Sequence, residues 1–281
     1  MNYQPYIDQL ISLAIAEDIG DGDHTSLSCI SPDAVGKMKL LVKQDGVIAG
    51  IAIARQIFQR IDSCLQVEQL VDDGAKVVVG DIAFYVSGNE LSLLQAERLV
   101  LNVMQRMSGI ATQTAVYAKE LAGLKTRVID TRKTTPGMRA LDKLAVKLGG
   151  GGNHRMGLFD MILLKDNHID FAGGVEAAIR KAQDYLQRTG RNLAIEVEAR
   201  SLDDVRTIIR VGRVQRIMLD NFDVSKTKEA VALINGQYET ESSGGITLEN
   251  LRDYAECGVD FISVGALTHQ IKSLDLSLKA C

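Results

Sequence analysis

Apolar positions along the first hundred residues change spacing several times. Ile7, Leu10, Ile11 and Ala14 recur at helical intervals and predict an amphipathic helix. Met38, Leu40 and Val42 alternate with mostly polar neighbours over 37–43, the pattern of a half-buried strand. A helix is expected at 51–61, then strands at 66–71 and 77–86 joined through the turn Asp72-Asp73-Gly74. A longer helix is expected over 91–107, with Leu93, Ala96, Val100, Val103, Met104 and Met107 on one stripe. Ser108-Gly109 reads as its end, with a second helix after it. Arg98 lies off the stripe; solvation is the first explanation for such a residue, and contact with a second subunit the alternative.

Beyond Lys125 short apolar strands alternate with amphipathic helices. Strands are expected at 127–131, 160–165, 193–198, 216–220, 238–242 and 260–264, and helices at 175–186, 202–209, 227–234 and 248–257. Repeated strand–helix units imply a parallel sheet with right-handed crossovers. An eight-unit barrel needs ~250 residues, so this half has room for about six units. The fold class is therefore α/β: an N-terminal α/β sandwich over 1–113, then a shortened barrel of about six strands over 114–281, its last ten or so residues packing back on the first domain.

Composition narrows the function. The 281 residues are 46% hydrophobic, enough for a large core. A formal charge of −4 argues against general nucleic-acid or anionic-membrane binding. No apolar run approaches the ~20 residues of a membrane span, and the N-terminus lacks the basic region of a signal peptide. Cys29, Cys64, Cys257 and Cys281 form no CxxC pair, so free thiols in a reducing cytoplasm are expected. The acidic turn at 17–23 resembles a calcium loop only faintly and is read as structural.

Against the acidic background, 130–168 carries seven Lys or Arg and four Asp, a local charge of +3. A cationic island in an acidic protein suits an anionic small molecule. Charged or glycine positions also fall at every expected strand end: Asp130, Arg132 and Lys133; Lys165; Glu198; Asp220; Ser243-Gly244-Gly245; and Gly265. Barrel sites form on that face. The Ser-Gly-Gly turn, with helices expected to start at Thr247 and near Ala266, suggests a phosphate pocket. Glu198 and Asp220 suit Mg²⁺ or ribose hydroxyls, or pair with nearby lysines. His154 and His168 read equally well as hydrogen-bonded core histidines.

The blocks EDIGDGDHTS, ERLVLNVMQRMSGIAT, DTRKTTPGMR, KLGGGGNHRMGLFDMILLKDNH, EVE, MLDN, ESSGGI and ISVGALTH occur in order over nearly the full length. With them the chain resembles the quinolinate phosphoribosyltransferases. The resemblance implies phosphoribosyl transfer from phosphoribosyl pyrophosphate to quinolinate, with loss of pyrophosphate and CO₂, to give nicotinate mononucleotide for NAD. It also implies Mg²⁺, held directly or indirectly by Glu198 and Asp220, and a homodimer with shared active sites. Arg132, His154 and Arg155 would surround the quinolinate carboxylates, with Arg98 arriving from the neighbouring subunit. Lys133 and Lys165 would stand by the pyrophosphate, Glu198 and Asp220 by the ribose, and Ser243, Gly244 and Gly265 around the 5′-phosphate. Thr131, Gly245, Val264 and Ala266 complete the substrate-binding set. A related protein linked to molybdate transport and a non-catalytic phosphate-ligand binder are the alternatives.

Overall fold

The computed structural model describes residues 3–281. In chain order its elements are α1 (Gln4–Ile19), α2 (His24–Cys29), β1 (Val35–Val42), β2 (Gly46–Val47), α3 (Ile51–Ile61), β3 (Gln66–Gln69), β4 (Lys76–Val77), β5 (Ile82–Asn89) and α4 (Glu90–Glu120). There follow β6 (Arg127–Ile129), α5 (Arg139–Leu148), β7 (Ile162–Leu164), α6 (Asp166–Ala172), α7 (Val175–Thr189), β8 (Ile195–Ala199), α8 (Leu202–Val211) and β9 (Arg216–Asp220). The last are α9 (Val224–Ile234), β10 (Glu239–Ser243), α10 (Leu251–Glu256), β11 (Phe261–Ser263), α11 (Ala266–His269) and β12 (Leu276–Ala280). Among the described residues no helix is long and apolar enough to cross a membrane.

Two compact units divide the chain. The first takes the chain up to Ala115, then Thr134–Gly150 and Ala266–Cys281; the second takes Val116–Lys133 and Gly151–Gly265. The C-terminal segment returns to the first unit as expected, with β12 pairing β1, but α5 also belongs there, so a single cut near 113 does not describe the division.

In the first unit an antiparallel sheet runs in the order β12-β1-β5-β3. The alternation in β1 buries Met38, Leu40 and Val42, which face Ala280, Leu278 and Leu276 across the ladder. Helix α3 buries Ile51, Ile53, Ala54, Ile57 and Phe58. Asp73 starts that helix: its carboxylate accepts the N–H groups of Gly50, Ile51 and Ala52 at 2.6, 2.9 and 3.0 Å. One side chain thus satisfies three of the donors that a helix start leaves open.

Helix α4 departs from expectation. Ser108-Gly109 does not break it, and 31 residues run on unbroken. Gly109 is there because a Cβ would collide with Lys272 O and lie 3.0 Å from Ser273 Cα. Ser108, fully buried, accepts the Ala49 N–H at 2.9 Å and donates to Ala49 O at 3.2 Å. Both residues mark close approaches rather than a chain reversal.

In the second unit all six strands are parallel, in the order β6-β11-β10-β9-β8-β7. From β7 to β11 consecutive strands are neighbours, and β11 returns to β6. That cyclic order is a barrel's rather than a doubly wound sheet's. Hydrogen bonding does not close between β6 and β7; instead Gly152 makes a parallel bridge to Ile129. Register places Glu196 opposite Arg216, Glu198 and Glu241 opposite Met218, and Ser243 opposite Asp220. With period 2 these side chains share the inner face.

Candidate active site

The inner-face residues at the carboxyl ends of the strands line a cavity of about 580 Å³. Its wall includes Thr131, Arg132 and Lys133 after β6, His154 and Arg155, Lys165 after β7, Asp220, and Ser243-Gly244-Gly245. The structure thus brings together most of the residues singled out from sequence. Leu163, Met218, Asn221, Glu241 and Ser263 also line it and were missed. Counting alternate residues back from Lys165, Asp220, Ser243 and Gly265 finds four of them; Asn221 has no such signal.

The cationic wall is braced from behind. Asp130, fully buried, accepts the His154 N–H at 2.8 Å and the Asn153 amide at 2.7 Å. Arg155, 9% exposed, donates to Met161 O at 3.1 Å. Burial first, then the like charge of Arg132, lowers its pKa, against the opposing pull of Glu196 and Asp160. Two guanidinium groups that repel each other at a cavity wall suit a multiply charged anion.

His154 is 9% exposed. Its Nδ1 accepts the Arg155 N–H at 2.7 Å, which leaves Nε2 as the protonated nitrogen of the neutral ring. Nε2 lies 3.0 Å from Glu196 and 3.5 Å from Glu241. Both nitrogens therefore serve the protein interior. The two glutamates are fully buried. Each is raised to about 7, with burial the largest cause; at Glu241 the charge of Glu196 adds to it, and at both Arg216 pulls the other way. Arg216 meets Glu241 at 3.0 Å and lies 4.0 Å over the Phe261 ring.

Lys165 is half exposed, with Nζ 4.0 Å from Glu198. Glu198 is 5% exposed and stands beside Lys165 rather than in the cavity lining; it accepts the Asp166 N–H at 3.2 Å. Burial first, then the charge of Asp220, raises its pKa. This mutual repulsion of two hard oxygen donors is what a divalent cation would relieve, so the pair fits Mg²⁺. His154, Glu196 and Glu241 also bring ligand atoms within 4.8 Å of one another. Arg216 already pairs with Glu241 of that trio, which makes it a poorer metal site.

Beside the Ser-Gly-Gly turn the expected helix at Thr247 starts later, at Leu251. Thr247 N–H instead donates to Asn250 at 2.8 Å, and Asn250 donates back to Gly245 O at 3.2 Å, making a turn. A six-residue helix so displaced adds little dipole, so an anion here would meet chiefly the backbone of 243–245. Val264, buried, donates its N–H to Ile129 O at 3.0 Å and is followed by Gly265. Ala266 opens α11 and, like Arg98, belongs to the first unit. Arg98 lines a separate polar hollow there with Asp23, His24 and Thr25.

Comparison with known proteins decides the family. The N-terminal domain model of quinolinate phosphoribosyl transferase matches residues 23–108, and the C-terminal domain model matches 110–279. The chain belongs to this family. Family membership thus covers both units. A mitochondrial decarboxylating quinolinate phosphoribosyltransferase of Nicotiana glauca is 46% identical over 96% of this chain and 81% of its own length. A probable carboxylating nicotinate-nucleotide pyrophosphorylase of Synechocystis is 41% identical over 97% and 92%. Among solved structures, the nicotinate-nucleotide pyrophosphorylase of Francisella tularensis is 38% identical, with TM-score 0.92 over 99% of this chain and 96% of its own. NadC from Streptococcus pyogenes is 35% identical, with TM-score 0.93 over 100% and 99%.

Proposed function

We propose that this enzyme transfers phosphoribose from phosphoribosyl pyrophosphate to the ring nitrogen of quinolinate and releases pyrophosphate and CO₂, giving nicotinate mononucleotide for NAD synthesis. Full-length family membership carries the reading. The cavity supports it, since Arg132 and Arg155 offer two guanidinium groups to a substrate with two adjacent carboxylates.

On this reading Arg132 and Arg155 hold quinolinate, and the backbone of Ser243–Gly245 holds the 5′-phosphate. Lys133 and Lys165 offset the charge that gathers on the leaving pyrophosphate. Asp220 and Glu198 face the ribose, where cationic character builds at the anomeric carbon. Glu198 and Asp220 would hold Mg²⁺, which supplies charge neutralisation to the pyrophosphate. The ring nitrogen forms the new bond as the pyrophosphate oxygen leaves with its electron pair. The now cationic ring accepts the electrons of the breaking ring–carboxylate bond, and a proton replaces CO₂. Catalysis is then positioning and electrostatics.

The proposal extends to a homodimer in which Arg98 completes the neighbouring subunit's site, and to a cytoplasmic location, which suits four free cysteines. Incubation with quinolinate, phosphoribosyl pyrophosphate and Mg²⁺ should yield nicotinate mononucleotide with stoichiometric CO₂. Nicotinate in place of quinolinate should yield none. Absence of product from quinolinate, with the protein folded, overturns the reading.

A further inference from the structure

Asp220 and the Ser243–Gly245 turn stand at opposite ends of the sugar phosphate in the proposed function. One side chain touches both. Asn221 lines the cavity and follows Asp220 at the end of β9. Its amide donates to Asp220 Oδ2 at 2.6 Å. Its own N–H donates to Ser243 O at 2.8 Å, which carries the β9–β10 ladder one residue past the last paired positions. Its carboxamide also fills the space a side chain on residue 244 would need: a Cβ on Gly244 would collide with Asn221 Oδ1 and lie 2.7 Å from its Cγ.

The backbone at this point is committed as well. Asn221 has φ 55, one of only three positive values outside glycine among the described residues, and Gly244 has φ 91. Asparagine tolerates the left-handed region better than other side chains, and glycine occupies it freely. The other two, Arg213 and Asn235, do not line the cavity. A conformation that costs free energy, held in the wall of a site, is a pointer to function.

We infer that Asn221 is a positioning residue for phosphoribosyl pyrophosphate, fixing the Asp220 carboxylate and the Gly244 turn at one separation, so that ribose and 5′-phosphate are gripped together. The amide orients the carboxylate, leaving its other oxygen toward the cavity. The same group, packed on Gly244, prevents the turn from collapsing inward. This rests on the transferase reading above, and the wild-type assay tests that reading separately.

Asn221→Gly keeps the left-handed backbone and its N–H bond to Ser243 while deleting the carboxamide. Asn221→Asp keeps the shape, loses the donor and sets a like charge against Asp220. With wild-type enzyme forming product, both variants should raise KM for phosphoribosyl pyrophosphate at least tenfold, and its Kd by calorimetry in parallel. Quinolinate binding should change less than twofold, and Tm by only a few degrees. Asn221→Asp should be the weaker of the two for the pyrophosphate substrate. If Asn221→Gly binds phosphoribosyl pyrophosphate as wild type does, or if quinolinate and phosphoribosyl pyrophosphate affinity fall together, the inference is overturned.

Discussion

Arg132 and Glu241 stand in one cavity wall and place opposite demands on the protein. Arg132→Ala should cut kcat/KM about a hundredfold, the size of one lost charge-assisted interaction of ~3 kcal/mol, without lowering Tm; near wild-type turnover would remove Arg132 from the substrate's contacts. Glu241 acts on stability. Its folded pKa, raised to about 7 by burial and by Glu196, exceeds the ordinary 4.5. The folded state therefore binds more protons than the unfolded state between those values, and stability falls as pH climbs through that window. Glu241→Gln should flatten the fall between pH 5 and 7.5, by something on the order of 2 kcal/mol, in urea melts across pH. An unchanged slope would mean that Glu241 stays ionised in the folded state. These roles were only half legible. Lys165, Asp220 and Ser243 announce themselves as charge or hydroxyl at a strand end. Glu196 and Glu241 do not: Glu196 alternates with apolar residues and Glu241 sits in a polar run, both of which read as a solvent face, and only the curling of the sheet turns that face inward. Asn221 stands in the MLDN block, but its role is not legible there, since it lies in a backbone angle and in a nearby glycine's missing side chain.

Elements were read best where periodicity alone decides them. Helix α3 and strand β9 have the expected bounds, and the other barrel strands fall within a residue or two. The misreading of α4 shows what local rules lack. Glycine lowers helix propensity by ~1 kcal/mol, yet Gly109 sits inside a continuous helix because another segment touches it there. Gly109→Ala sets propensity, worth ~1 kcal/mol in favour, against overpacking on a backbone carbonyl that costs ~1–3 kcal/mol. Overpacking should win, lowering the urea midpoint; a stabilised variant would show that the C-terminal segment gives way. Asp73→Ala should likewise cost about 1–2 kcal/mol, because three N–H groups at the start of α3 lose their acceptor.

For the whole molecule, the division into units differs from the division of the sequence. Strand β12 completes the first sheet by pairing with β1 along five positions from Met38 to Val42. Deleting 276–281 should expose the edge of β1, quicken hydrogen exchange at Leu40 and Val42, and promote aggregation. A soluble, cooperatively melting truncation with protected β1 amides would show that the edge strand is dispensable. The same pairing has a consequence during synthesis. From Val42 to Leu276 is 234 residues, roughly 12 to 47 s of translation at 5–20 residues per second. For that interval the oldest sheet of the nascent chain lacks its outermost strand, so the ribosome finishes the barrel before the N-terminal unit can close.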